Sequence, residues 1–231
     1  MQTAGIIGGI GPESTILYYR GIIKEYQRRT ASSSAPSFII NSIDLQRMRG
    51  LLEASQHDEI ATYLAEELIK LQRAGVSFGA LAAVTPHLVF DRLREAVSLP
   101  LLSIVDVTCE AAKARNLRRL ALFGARYTMQ ASFFPEAAAA AGLSVVTPSA
   151  EDQKYIHTIY FDELVKGIVR DETRDRLLSI VARLKTEQAI DAVILGGTEL
   201  SLILNLPPRD GVTFLDTTQL HVEAIVHKLL A

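Results

Sequence analysis

Tryptophan is absent from this chain, and cysteine occurs once, as Cys109. One thiol excludes an internal disulfide and any multi-thiolate metal centre. No His/Cys/Asp/Glu cluster has ligand spacing either, so no metal is expected. An excess of charge is also missing: 24 Lys and Arg stand against 26 Asp and Glu, a formal net charge of −2. That balance gives no general attraction to nucleic acid or to an anionic membrane. No apolar run reaches the roughly 18 residues that a transmembrane helix needs. The start, "MQTAGIIGG", has no basic segment ahead of an apolar run and a cleavage site, so no signal peptide is expected. Low-complexity linkers are lacking. These absences together predict a soluble, cytoplasmic protein.

What is present is apolar and regular. Apolar residues make up 48% of 231 residues, enough for one large domain or two smaller ones. Strand-like and helix-like patterns alternate throughout. "AGIIGG" is a continuous apolar run, as in a buried parallel strand. "PESTILYYRGIIKEYQRR" then has helical spacing at Ile16, Tyr19, Ile22, Ile23 and Tyr26. "PSFIINSI", "SFGALAAV" and "PLLSIV" read as further strands. "HDEIATYLAEELIKLQRAG" reads as an amphipathic helix closed by Gly75, and "HLVFDRLREAV" and "VTCEAAKARN" as helices. The theme then restarts with the strand "RRLALFGA" and a helix "TMQASFFPEAAAAAG", for which Thr128 is an expected N-cap. "LSVVTP", "DAVILGG" and "VTFLDT" are strands. "EDQKYIHTIYFDELVKGIV", "TRDRLLSIVARLKTEQ" and "TQLHVEAIVHKLL" are helical. Such alternation predicts an α/β fold with parallel sheets and right-handed crossovers.

The two halves rhyme. "AGIIGGIGPEST" and "LALFGARYT" are both strand, glycine turn, then Thr near a helix start. "ALAAVT" and "VILGGTE" are both strand, small residues, then Thr. The expected architecture is two pseudo-symmetric domains, each a parallel sheet flanked by helices, with a cleft between them.

Four strand ends are candidate chemical corners, since open α/β sheets bind ligands there. The first is the loop Gly8 to Thr15, where N–H groups could approach an anion. Gly9-x-Gly11-x-x-Ser14 lacks the third glycine of a dinucleotide fingerprint, and no Gly-Lys-Ser/Thr follows. Asp44 lies beyond the usual offset of a ribose-binding acid. A carboxylate therefore suits this loop better than a pyrophosphate. The second corner is Gly124 to Gln130, with Thr128 and Arg126. The third and fourth are "AAVTPH" and "LGGTEL". Thr85 and Thr198 have an N-capping role open to them, His87 a structural one, and Glu199 is favoured by the helix dipole.

With these residues in order, the chain resembles the aspartate/glutamate racemase family. The motifs that carry the resemblance are "GGIGPEST…YYR", "VTPH" at 84 to 87, "ARYTM" at 125 to 129, "LGGTEL" at 195 to 200 and "FLDTTQLHVEAIV" at 214 to 226. It implies a first domain of residues 1–98 plus 213–231 and a second of 99–212, with the C-terminal helix packed back on the first. It also implies no cofactor, a homodimer, and a small acidic amino acid or dicarboxylate as ligand. Gly9, Ile10, Gly11, Thr15, Val84, Thr85, Ala125, Tyr127, Thr128, Met129 and Thr198 fall at its substrate-binding positions. Arg47 and Lys166 are similar to basic residues that grip a side-chain carboxylate.

The family's Cα chemistry uses two thiols on opposite faces of the substrate. Counting back from His87 in a Cys-x-Asn-Thr-x-His motif puts the first at Ala82 and the motif's Asn at Val84. The Gly-Cys-Thr-Glu motif puts the second at Gly197. Both positions are vacant here, and Cys109 matches neither motif. A threonine hydroxyl has no ionised form near neutral pH to replace a thiolate. His87 and Glu199 are the titratable candidates for a substitute base. Three activities remain open on this reading. One is an amino-acid racemase-type protein that binds its ligand with both thiol bases lost. Another is a lyase or isomerase acting on a malonate- or maleate-like acid. The third is a non-catalytic carboxylate-binding protein.

Overall fold

The structure, a computed structural model, describes residues 2–231. These fall into two compact units, one of residues 2–104 with 218–231 and one of 105–217.

The first unit runs β1 (Ala4–Gly8), α1 (Pro12–Thr30), β2 (Phe38–Ser42), α2 (Leu45–Glu53), α3 (His57–Arg73), β3 (Phe78–Leu81), α4 (Phe90–Ala96) and β4 (Leu101–Leu102). A 3-10 turn, Thr85–Val89, leads into α4; α5 (Ile104–Ala114), which follows β4, opens the second unit. All strand pairs are parallel, in the order β2-β1-β3-β4. Alternation along the strands feeds both faces of this sheet. Ala4, Ile6, Phe78 and Ala80 pack with Tyr18 and Ile22 of α1. Val222, Ile225, Val226 and Leu229 join the same cluster from α11 (Thr217–Leu230), so the C-terminal helix completes this unit. Ile7 and Leu81 point the other way, to Ile60, Leu64, Leu68 and Leu71 of α3.

The second unit repeats the plan. It runs β5 (Arg119–Phe123), α6 (Arg126–Gln130), α7 (Phe133–Ala140), β6 (Ser144–Val146), α8 (Ala150–Asp162), α9 (Asp171–Gln188), β7 (Ala192–Leu195), α10 (Ser201–Leu204) and β8 (Thr213–Asp216). 3-10 turns cover Leu164–Lys166 and Thr198–Leu200. Its strands are again all parallel, in the order β6-β5-β7-β8. The two sheets thus share one topology, as their sequence rhyme predicts.

Three details differ from the sequence reading. The changeovers between units fall after Ile104 and after Thr217, later than 98 and 212, because β4 pairs with β3 and β8 with β7. The single helix expected from Thr128 to Gly142 is two, separated by an extended Ala131 with ψ 157°. Pro135 explains the break, since it has no N–H to offer the carbonyl four residues back. The helix expected through Val169 stops at Asp162, and Gly167, at φ 72°, closes the short turn that follows.

Candidate active site: two strand-end corners

Each sheet has a topological switch point, between β1 and β3 in one unit and between β5 and β7 in the other. The loops leaving those strands flank the crevice where such sheets bind ligands. All four sequence-singled corners lie on these loops, and each unit brings two of them together.

In the first unit the glycine loop is held from within. Gly9 adopts φ 85°, and a Cβ there would lie 2.2 Å from the Ile43 carbonyl oxygen, so only glycine fits. The Gly9 N–H donates to Thr15 Oγ1 at 2.8 Å, and that hydroxyl donates to the Gly11 carbonyl at 3.2 Å. One N–H expected to face an anion is therefore satisfied by the loop's own threonine. Thr15 builds the loop. Ser14 Oγ, buried, donates to the Ala82 carbonyl at 2.7 Å and ties the loop to the end of β3. Ser14→Ala should cost about 1–3 kcal/mol by orphaning that carbonyl. Thermal melts of the variant check this, and an unchanged midpoint would contradict it.

The β3 corner is buried and largely apolar. Ala82, Ala83 and Val84 are buried, and the Ala82 side chain sits in the apolar cluster with Phe78, Ala80 and α1. A thiol at Ala82 would face that core. His87 is 4% exposed and stacks on Phe90 at 4.5 Å. The Ile104 N–H donates to its Nε2 at 3.3 Å, so the ring proton resides on Nδ1, which donates to the Val84 carbonyl at 3.1 Å. Burial pushes its pKa down to about 3. Both nitrogens are engaged, and no lone pair is left to take a Cα proton. His87 locks the strand end to the segment after β4. Val84, not Thr85, occupies the cap position of the 3-10 turn.

In the second unit, Ala125 caps α6 without a side-chain bond, and Thr128 lies inside the helix rather than at its cap. Thr128 is fully buried, and its methyl lies 3.3 Å from where a Gly196 Cβ would be. Met129 belongs to the apolar core. Tyr127 is half-buried, and the exposed Arg126 lies over its ring. The Arg126 N–H donates to His157 Nδ1 at 3.2 Å.

The β7 corner is the polar one. Glu199 is 5% exposed, and its Oε2 accepts from Thr198 Oγ1 at 2.6 Å and from the Tyr160 hydroxyl. Thr198 follows the cap position, which Gly197 holds. Gly197 itself is extended, at φ −152° and ψ 132°, a conformation open to any residue. Space is tight: a Cβ there would lie 2.5 Å from Tyr160 Cε2 and 3.0 Å from the phenol oxygen, so the ring would have to shift. Tyr160, from α8, thus fills the volume that a side chain at 197 would take. It was not among the sequence candidates. It lies 37 residues before Gly197 and reads there only as one more helical aromatic.

The remaining candidates find their partners outside these corners. Asp44 caps α2, accepting from the Gln46 N–H at 2.8 Å. Arg47 is exposed and stacks over Tyr63 at 3.9 Å. Lys166 is exposed, 3.9 Å from Asp162, although its turn packs beside the turn that carries Glu199. Cys109 is buried on α5, and burial with nearby Asp106 and Glu110 pushes its thiol up to about 11. Among the described residues no group of three or more His, Cys, Asp or Glu could hold a metal, and no helix is long and apolar enough to cross a membrane.

Fold and corners together define a protein of two parallel α/β units that carries its polar groups at the switch points of its sheets. The chain belongs to the Asp/Glu/Hydantoin racemase family, whose pattern matches residues 7–225. It is 23% identical to the broad specificity amino-acid racemase RacX of Bacillus subtilis (strain 168), over 87% of each chain. In three dimensions it is similar to a candidate Asp/Glu racemase from Yersinia pestis, at 30% identity with all of both chains covered and a TM-score of 0.93. It is likewise similar to an aspartate racemase homologue from Pyrococcus horikoshii OT3, at 31% identity with all of both chains covered and a TM-score of 0.87. A glutamate racemase from Campylobacter jejuni shares the fold at 16% identity, with 98% of this chain and 86% of that one covered and a TM-score of 0.64.

Proposed function

We propose that this chain binds a small acidic amino acid, or a related carboxylate, at its strand ends, unaided by a cofactor, and that two-thiol racemisation does not operate in it. The observation that carries the reading is the Tyr160 ring standing where a side chain at 197 would begin. A side chain at the second thiol position would have to displace that ring, which supports the reading. Family membership supports the ligand class. The burial and raised pKa of Cys109 support the loss of thiol chemistry.

The first thiol position is less simply placed. Its count from His87 leads to Ala82, whose side chain lies in the core. Of the two adjacent alanines, we assign the corner to Ala83, which is not part of that cluster. A homodimer, implied by the resemblance, is part of the same proposal and is checked by sedimentation equilibrium.

The test is a thermal melt of the full chain with L- and D-aspartate, L- and D-glutamate, and malonate. A ligand at 100 times its Kd stabilises by about 2.7 kcal/mol, a readily measured rise in midpoint. If none of the five shifts the midpoint at millimolar concentration, the carboxylate-binding reading fails. Interconversion of the enantiomers that survives Tyr160→Phe but is abolished by a thiol-alkylating reagent would defeat the loss of thiol chemistry.

A further inference from the structure

We propose that Tyr160 and Glu199 form a single acid–base pair at the β7 corner, which exchanges the Cα proton of a bound amino acid on one face only. The proposal rests on the carboxylate-binding reading above. Three observations point to it. The phenol oxygen lies 3.0 Å from the Cβ position of residue 197, within the space where a side chain from that position would act. The phenol is hydrogen-bonded to Glu199 Oε2, which also accepts from Thr198 Oγ1 at 2.6 Å. The β3 corner, by contrast, offers Ala82, Ala83, Val84 and a His87 with both nitrogens engaged.

The step balances without a co-reactant. As the Cα–H bond breaks, its proton passes to the Tyr160 oxygen and the electron pair stays on the ligand, delocalised into its carboxylate. The phenol's own proton moves at the same time to Glu199 Oε2, so no phenolate forms. The protonated Glu199 exchanges with solvent, and the reverse relay returns a solvent proton to the same face. Burial, with the Glu199 charge beside it, holds the phenol well above its ordinary pKa, so it is protonated at working pH, as a relay requires. Because the same pair removes and returns the proton, configuration is retained.

Incubation in deuterium oxide with each enantiomer of aspartate and glutamate, followed by NMR and chiral chromatography, reads this directly. The expected result is deuterium at Cα of one enantiomer, with no racemisation. Tyr160→Phe and Glu199→Gln should each slow exchange by about 100-fold or more while the ligand-induced rise in melting temperature persists. Binding without exchange would overturn the relay and leave the binding reading intact. Racemisation, or exchange at full rate in Tyr160→Phe, would also overturn it. Absence of both binding and exchange would sink both readings.

Discussion

A cysteine introduced at position 197 should lower the stability of the protein without giving it a working thiol corner. The backbone there accepts any side chain, so the whole cost is steric. The new Cβ would lie 2.5 Å from Tyr160 Cε2, and the ring cannot swing away without breaking the bond between its hydroxyl and Glu199. Overpacking of this kind costs about 1–3 kcal/mol. For a chain of this size each kcal/mol lowers the melting midpoint by roughly 2–4 °C. Tyr160→Val removes the obstacle and leaves a cavity of its own, so Gly197→Cys should cost less in that background than in the native one. The double-mutant cycle should therefore show a favourable coupling of about 1–2 kcal/mol between the two substitutions. Melting curves of the four proteins, with titration of the reactive thiol, measure both effects. A Gly197→Cys protein that melts like the parent would show that the ring is free to move, and the Tyr160 pair would lose its steric basis.

The first unit should be acid-labile well above the range in which carboxylates titrate. His87 and His221 are both buried and neutral, and burial pushes each down to about 3. The Nε2–H of His221 donates to the Leu102 carbonyl at 3.2 Å, and its Nδ1 accepts from the Tyr18 hydroxyl at 2.8 Å. A histidine whose folded pKa is depressed takes up its proton first in the unfolded chain. The stability it secures is fully present above about 6.5 and falls as pH drops towards 3. Each pKa unit corresponds to about 1.4 kcal/mol, so each ring represents on the order of 5 kcal/mol across that window. Glu25, held down to about 2 by Arg28 and Arg29, adds a loss only below its ordinary value of 4.5. Between pH 6.5 and 5 the decline therefore belongs to the histidines. Urea unfolding at half-unit pH steps should show it, and His221→Phe should flatten the slope even though it weakens the fold. A parent protein equally stable at pH 6.5 and 5 would mean that at least one ring is protonated in the native state.

The sequence by itself determined the class, the repeat and the family. Buried strands of unbroken apolar residues, helices at 3.6-residue spacing and matching glycine–threonine turns are local signals, and local signals survive in a one-dimensional string. They located all four strand ends, including the Gly9 loop, whose positive φ glycine permits. They also raised the expectation that both thiol positions implied by the resemblance are vacant, because reading a residue at a motif position needs no coordinates. What the string could not carry was which way each side chain points and what meets it from elsewhere. Ala82 reads as an active-site position, yet the strand alternation that turns Phe78 and Ala80 into the core takes it there too. His87 reads as a base, but its lone pair is taken by the N–H of Ile104, 17 residues on. Thr128 reads as a cap and is a buried methyl contact. Tyr160 carried no signal at all, since its importance lies in a volume left by Gly197 and a carboxylate supplied by Glu199, both on another element. Propensity and pattern act between neighbours along the chain. Occupied space and satisfied hydrogen bonds are set between residues far apart in it, and only the tertiary structure decides them.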